Sequence, residues 1–311
     1  MPEKPLSDST EALSGGTGDA PGISELKPSL LGSALYSLVP VRRRIVMENL
    51  QQVFEDQLSE VELRRLARCF YTHVTKTIKE NLAMMVSSDR RIAGQVDVLG
   101  VEHVLRAAEQ GKGVLILTGH FGNWELSAVA AMLQFKQYQS RFHVIRKSLG
   151  PGLENMVFGR FRRAGLRVVS PANALPNVFD ALEKNDVVIF IMDQHNVVGS
   201  KAVAVEFFGK EAGTNRSLAL VARQSGAPVI PAVSYRRPDG HHVMRFHPPL
   251  EWITAEHHRE EIYLNTLGYN RVLERFVLEH PDQWLWAHRR WKLDFRRPTR
   301  RRQRELKMGR R

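Results

Sequence analysis

The chain has 311 residues, 43% of them apolar, and 45 Lys and Arg against 33 Asp and Glu give a formal net charge of +12. That length and apolar content allow one large α/β domain, or two small ones, with a sizeable core. The single cysteine, Cys69, excludes a disulfide framework and a cysteine-based zinc site and suits a reducing compartment.

Residues 1–27 are rich in Ser, Gly, Pro and acids and are expected to be disordered. They lack the basic start and long apolar core of a signal peptide. Next comes the apolar stretch Leu30–Val39, followed by Pro40 and Arg42-Arg43-Arg44. It is about half the roughly 20 residues needed to span a bilayer. Two readings stand side by side: an interfacial helix with its arginines at headgroup level, or an ordinary packing helix. Over residues 59–85, Ser59-x-x-Glu62 reads as a capping box, and Leu63, Leu66, Phe70, Val74 and Leu82 recur at helical spacing. This helix is expected to cover one face of the core, with Cys69 as a core thiol. Residues 28–100 are thus read as a helical N-terminal part and 101–297 as an α/β core.

From residue 110 the chain alternates strand and helix. Strands are expected at Val114–Leu117, Phe142–Ile145, Leu166–Val169, Val187–Met192 and Pro228–Val233. Helices are expected at about 124–133, 152–164, 174–184, 214–224 and 256–279. Arg237-Pro238-Asp239-Gly240 reads as a turn joining an antiparallel edge pair. This pattern predicts the α/β class: a mixed, largely parallel central sheet flanked by helices. Residues 296–311 carry nine Lys and Arg against one Glu. A basic tail over 298–311 is expected to be solvated and to face an anionic membrane surface or an acidic acyl carrier. Nucleic acid is disfavoured, because no recognised nucleic-acid signature accompanies the tail.

The segment Thr118-Gly-His-Phe-Gly-Asn-Trp-Glu-Leu126 is the most informative in the chain. His120 follows an apolar strand, and Glu125 opens the next helix. Ligands bind open α/β sheets at such strand ends, and an imidazole beside a carboxylate can act as a general base. Five residues at about 100° each set the two side chains about 140° apart on one helix, so they meet only if His120 lies in the turn. The plain alternative is a satisfied core histidine. Gly119 and Gly122 count against it, since they permit a tight turn and a close approach of ligand to backbone. Asp193 also ends an apolar strand and would emerge at the same edge, either as part of a site or as a strand-end cap. Arg160 shares a helix face with Leu153, Met156, Val157 and Phe161. A guanidinium there is costly unless it is paired, reaches water or meets a ligand. Asn123 and Arg146 complete the candidate substrate contacts.

Rival chemistries lack their residues. There is no Gly-x-Ser-x-Gly elbow and no His-Glu-x-x-His, and Gly111-Lys112 lacks the rest of a phosphate-binding loop. A metal site from His120, Glu125, Asp193 and His195 is conceivable but not favoured. The doublets His241-His242 and His257-His258 read as surface residues. Trp284, Trp286 and Trp291, interleaved with His288, Arg289, Arg290 and Lys292, suit either a final core-packed strand or contact with lipid headgroups.

His120-x4-Glu125 after an apolar strand resembles the H-x4-D/E motif of lysophospholipid acyltransferase-like enzymes. More narrowly, it resembles the bacterial lipid A biosynthesis (late, secondary) acyltransferase family. Further blocks agree in order: Arg160-Phe-Arg-Arg-Ala-Gly165, Val188-Ile-Phe-Ile-Met-Asp-Gln194, Phe207-Phe-Gly209, Ala227-Pro-Val-Ile-Pro231 and Pro281–Lys292. The similarity covers about residues 30–297. It implies a glycerolipid acyltransferase-like fold and transfer of a fatty acyl chain from acyl-ACP or acyl-CoA to a hydroxyl of a membrane lipid, a lipid A precursor first. His120 would be the base and Glu125 its orienting acid. Arg160, Asp193, Asn123 and Arg146 would contact substrate, without a resident cofactor. The expected location is peripheral, on the cytoplasmic face of the bacterial inner membrane. The chain departs from the family pattern at His195, where a second acid is frequent, and in lacking a spanning N-terminal helix. Another glycolipid, an aminolipid or a lysophospholipid is the alternative acceptor. A non-catalytic membrane- or nucleic-acid-binding protein on the same fold is the alternative from a different class.

Overall fold

A computed structural model describes residues 23–39, 41–138, 140–145, 159–170 and 174–292. Arg146, Leu153, Met156, Val157, most of the expected 1–27 segment and the 298–311 tail lie outside them.

The N-terminal part consists of α1 (Leu30–Leu38), α2 (Arg43–Phe54), α3 (Glu60–Val86) and the short α4 (Asp89–Ala93). The capping box forms as expected: the Ser59 hydroxyl accepts from the Glu62 amide, and the Glu62 carboxylate accepts from the Ser59 amide. α1 crosses α3 closely. A Cβ on Gly32 would lie 2.1 Å from Thr72 Oγ1 and 2.6 Å from the α3 backbone, so only glycine fits the crossing. Among the described residues, no helix is long and apolar enough to cross a membrane.

The core alternates β1 (Val96–Leu99), α5 (Val101–Ala108), β2 (Val114–Thr118), α6 (Trp124–Gln134), β3 (Phe142–Ile145), β4 (Leu166–Val169), α7 (Ala174–Glu183) and β5 (Val187–Ile191). A hairpin of β6 (Ala202–Phe207) and β7 (Lys210–Asn215) follows, then α8 (Ser217–Ser225), β8 (Val229–Arg236), β9 (His242–Phe246) and α9 (His258–Glu279). Seven strands form one sheet in the order β1-β9-β8-β2-β5-β3-β4. Within this sheet, among the described residues, only β8 and β9 pair antiparallel; every other neighbouring pair is parallel. The expected mixed, largely parallel sheet is therefore present. β2 shows why it is stable: Leu115 and Leu117 join the core layer of Phe70, Leu218 and Phe276, while Val114 and Ile116 join that of Ile92, Val129 and Ala130. A strand covered on both faces has no reason to alternate with polar residues.

Three features differ from expectation. The Arg237–Gly240 turn does join antiparallel strands, but β9 is flanked by β1 and is not an edge. β1, with the sequence Val-Asp-Val-Leu, is too short and too mixed to stand out. The β6–β7 hairpin turns at Phe208 and Gly209, with φ of 51° and 69°. Phenylalanine is a rare choice at positive φ; here its amide donates to Glu274 Oε1 at 2.6 Å.

Candidate active site

Parallel pairing of β2 with β5 sets Thr118 opposite Ile191. His120 and Asp193 each lie two residues further on, at the same carboxyl edge of the sheet. They meet there: His120 Nδ1 is 2.9 Å from Asp193 Oδ1, and the His120 amide donates to Asp193 Oδ2 at 2.8 Å. The Trp284 indole N–H donates to the same Oδ2 at 2.9 Å. Asp193 is buried, which opposes its charge. The His120 charge and the three donors outweigh that burial and hold its pKa at about 2. For His120, burial works against protonation, but the Asp193 charge and hydrogen bond, with a smaller contribution from Glu125, raise its pKa above the ordinary value. The ring remains partly open to solvent, packs edge-on against Trp124 and has the Gln194 amide 3.4 Å from both of its nitrogens.

The two glycines of the turn serve the protein's own packing. A Cβ on Gly119 would stand 3.0 Å from the Asp193 side chain and 2.7 Å from Phe121. At Gly122, where φ is 57°, it would stand 2.6 Å from the Ser234 carbonyl oxygen. The segment after α9 fastens the turn from the other side: the Leu285 amide donates to His120 O, the Gly122 amide donates to Gln283 O, and Phe121 bridges to Trp284.

Beneath the turn lies a buried polar network that the sequence did not reveal. Arg236 donates to Glu80 through Nε (2.9 Å) and Nη2 (2.6 Å) and to His73 Nδ1 through Nη1 (2.9 Å). Glu80 also accepts from Asn123 Nδ2 at 3.0 Å and sits 3.3 Å from His242 Nε2. Burial opposes the Glu80 charge, yet His242, Arg236 and Asn123 together hold its pKa at about 2. Burial and the Arg236 charge push His73 down to about 3, so it stays neutral and hydrogen-bonds the Gly122 backbone. His242, read as a surface residue, is thus buried in this network.

The expected site residues separate into two groups. His120 and Asp193 are in direct contact, and it is Asp193, not Glu125, that holds Nδ1. The reason is register: adjacent parallel strands deliver Asp193 to the ring, while Glu125, in the first turn of α6, is engaged by its own backbone and by Asn81. Glu125 is partly buried, which raises its pKa; hydrogen bonds from its own backbone and from Asn81, and the His120 charge, pull the other way. Asn123 does not face a ligand space. It is 0% exposed, with Oδ1 capping α6 at Leu126 and Nδ2 on Glu80. Arg160 is paired with Asp89 (2.8 Å) and the Ser87 carbonyl (2.7 Å), not with the His120–Asp193 pair. It stays near the site through Phe161, whose ring packs on Trp124. Arg146 lies outside the described residues.

The tryptophan block packs inward without forming a strand beyond the single bridge. Trp284 and Trp286 are buried against each other and against Phe207 and Phe54. Arg290 is 0% exposed, stacks 4.7 Å from the Phe207 ring centroid and donates to Gly213 O, Thr214 Oγ1 and Asn270 Oδ1. His288 lies within electrostatic reach of Asp193 and His120.

Comparisons with known proteins add the chain's relationships. The profile of the bacterial lipid A biosynthesis acyltransferases matches residues 29–293. The lipid A biosynthesis lauroyltransferase of Escherichia coli (strain K12) is 29% identical over 264 residues, covering 84% of this chain and 83% of its own. The lipid A biosynthesis palmitoleoyltransferase of the same strain is 24% identical over 264 residues, covering 84% and 82%. A phosphatidylinositol mannoside acyltransferase of Mycolicibacterium smegmatis is 23% identical over 211 residues, covering 66% and 65%. With a family match over nearly all of its described length, the chain belongs to the bacterial lipid A biosynthesis acyltransferase family.

Proposed function

We propose that this acyltransferase moves a fatty acyl chain from an acyl thioester, on an acyl carrier protein or coenzyme A, to a hydroxyl of a lipid A precursor by general-base catalysis at His120. The observation that carries the reading is the His120–Asp193 contact, which commits Nδ1 to the carboxylate and gives Nε2, with the Gln194 amide 3.4 Å away, the proton-transfer role. Nε2 takes the proton of the acceptor hydroxyl as its oxygen attacks the thioester carbonyl. The tetrahedral intermediate collapses, the C–S bond breaks, and the imidazolium returns the proton to the leaving thiolate. Asp193 fixes the tautomer and stabilises the imidazolium, as the acid of a triad does. Glu125 adds a second carboxyl within electrostatic reach. No covalent enzyme intermediate and no resident cofactor are needed, because the hydroxyl is the nucleophile. The reaction takes place on the cytoplasmic face of the inner membrane with the protein bound peripherally.

The acceptor is chosen on the relatives that align over most of this chain, whose names specify lipid A biosynthesis. The mycobacterial relative, named for a different glycolipid, keeps another membrane glycolipid as the second reading. Purified protein is to be offered acyl-ACP or acyl-CoA with a lipid A precursor, a phosphatidylinositol mannoside or a lysophospholipid. His120→Ala is expected to reduce transfer by at least about 10²-fold while remaining folded. Undiminished transfer by a folded His120→Ala protein rejects the mechanism, and preference for another acceptor rejects the lipid A assignment.

A further inference from the structure

The C-terminal half of α3 is amphipathic in an unusual direction. Its inward arc carries the buried His73 and Met84 and the half-buried Glu80. Ile78, Leu82, Met85 and Val86 fall within about 100° of arc on the opposite side at about 100° per residue. They are between 44% and 89% exposed. Burying such side chains is favourable, so four left bare on one stripe mark a contact surface. Lys76 and Lys79 are exposed along one border of the stripe. The acids of the same stretch are engaged elsewhere: Glu80 with Arg236 and Asp89 with Arg160.

α1 extends this surface. Ser29 hydrogen-bonds Thr72, while Tyr36 packs on Tyr71 and lies under the Arg68 guanidinium, so α1 packs on the outer side of α3 with its end toward Arg68. Its start therefore lies toward Ile78, and Leu30 and Leu31, 93% and 66% exposed, face outward there. The stripe also borders the catalytic turn, since Asn81, next to Leu82, hydrogen-bonds Glu125.

We propose that this face, Leu30 and Leu31 of α1 with Ile78, Leu82, Met85 and Val86 of α3, is the surface by which the protein lies on a bilayer containing anionic lipid. Apolar side chains enter the acyl boundary while Lys76 and Lys79 meet headgroup phosphates, the division of labour of an interfacial helix. The placement rests on the proposed acyl-transfer function in one respect: it brings a lipid acceptor in beside His120 without leaving the membrane. A second copy of the chain would cover the apolar stripe but brings Lys76 and Lys79 no unengaged acid from this stretch, whose Glu80 and Asp89 are held by Arg236 and Arg160. Residues 1–22 offer only Met1, Leu6 and Leu13 as large apolar side chains and supply too little to cover it.

The full-length protein is to be sedimented with vesicles of phosphatidylcholine, with and without phosphatidylglycerol. Leu82→Glu combined with Val86→Glu is expected to lower partition at least about tenfold on both vesicles, with an unchanged melting temperature. Lys76→Glu combined with Lys79→Glu is expected to remove only the gain from phosphatidylglycerol. Binding by both double variants at the wild-type level overturns the proposal. So does a wild-type dimer in solution that the Leu82/Val86 substitutions split. Vesicle binding is read without turnover, so a preparation that shows this pattern yet transfers no acyl chain supports the docking face and counts only against the catalytic reading.

Discussion

Asp193 holds His120 at two points: one carboxylate oxygen on the ring at Nδ1 and the other on the backbone amide. Ring and chain are thereby fixed together, and the Trp284 indole fixes the carboxylate in turn. The arrangement follows from strand register, because β2 and β5 end level with each other. It determines both the orientation and the proton affinity of the imidazole.

Asp193→Asn tests that coupling. In the proposed mechanism the free base of His120 is the active form, so activity should rise with pH through the ring's elevated pKa. Removing the Asp193 charge leaves burial as the main influence, and burial lowers that pKa. The acid limb of kcat/KM should therefore move to lower pH, while the plateau falls by about 10³–10⁴-fold through loss of the correct tautomer. A pH–rate profile of the purified variant reads both, and an acid limb that stays in place contradicts the pairing.

Glu125→Gln separates the two carboxylates. Glu125 contributes charge but does not hold Nδ1, so its amide variant should retain the tautomer. The expected loss in kcat is about 10-fold, well below that of Asp193→Asn. Side-by-side rates decide the matter: a larger loss for Glu125→Gln would make it the orienting acid.

Much of this is legible in the sequence, for a physical reason. Val114–Leu117 and Val187–Ile191 are apolar runs covered on both faces, and such strands announce themselves without any partner. Two parallel strands ending in His120 and Asp193 were bound to present them at one edge. Their adjacency was not legible, since the order β8-β2-β5-β3 is set by long-range pairing. Glu125 looked like the partner because it is near in sequence, whereas Asp193 arrives from 73 residues away. Asn123 looked like a ligand contact because the N-cap role of an asparagine and its reach to Glu80 are decided by tertiary structure. The Glu80–Arg236–His73 network draws one residue from a sheet end and two from a helix, with no local motif to betray it. The Phe208-Gly209 hairpin was hidden for the same reason, as its Phe conformation is held by Glu274 in α9.

Gly119→Ala should impair activity by displacing Asp193. The added methyl would meet Asp193 Cβ and Cγ at 3.0 Å and the Phe121 ring at 2.7 Å, and the buried carboxylate has little room to retreat. A stability cost of about 1–3 kcal/mol is expected from overpacking, with a loss in kcat that exceeds the change in KM. Steady-state kinetics beside thermal unfolding check this, and wild-type kcat would mean that the turn can absorb the methyl without moving the pair.

Glu80→Gln should weaken the support under the His120 turn and change the acid response of the fold. The amide cannot neutralise Arg236, a nearly buried guanidinium held by two hydrogen bonds to Glu80. Removing one partner of a buried pair typically costs about 3–5 kcal/mol, and partial exposure of Glu80 places the expected value near the lower end. The folded pKa of Glu80 is about 2 against an ordinary 4.5, so its contribution is complete above the ordinary value and is lost as pH falls through the folded one. The stability gap between wild type and Glu80→Gln should therefore be constant near neutrality and narrow as pH falls from about 4.5 toward about 2. Urea unfolding at several pH values measures that gap, and a gap that widens in acid would show that Glu80 is not the anion neutralising Arg236. The same variant should lose activity beyond its fraction unfolded, because Asn123 and the Gly122 backbone rest on this network.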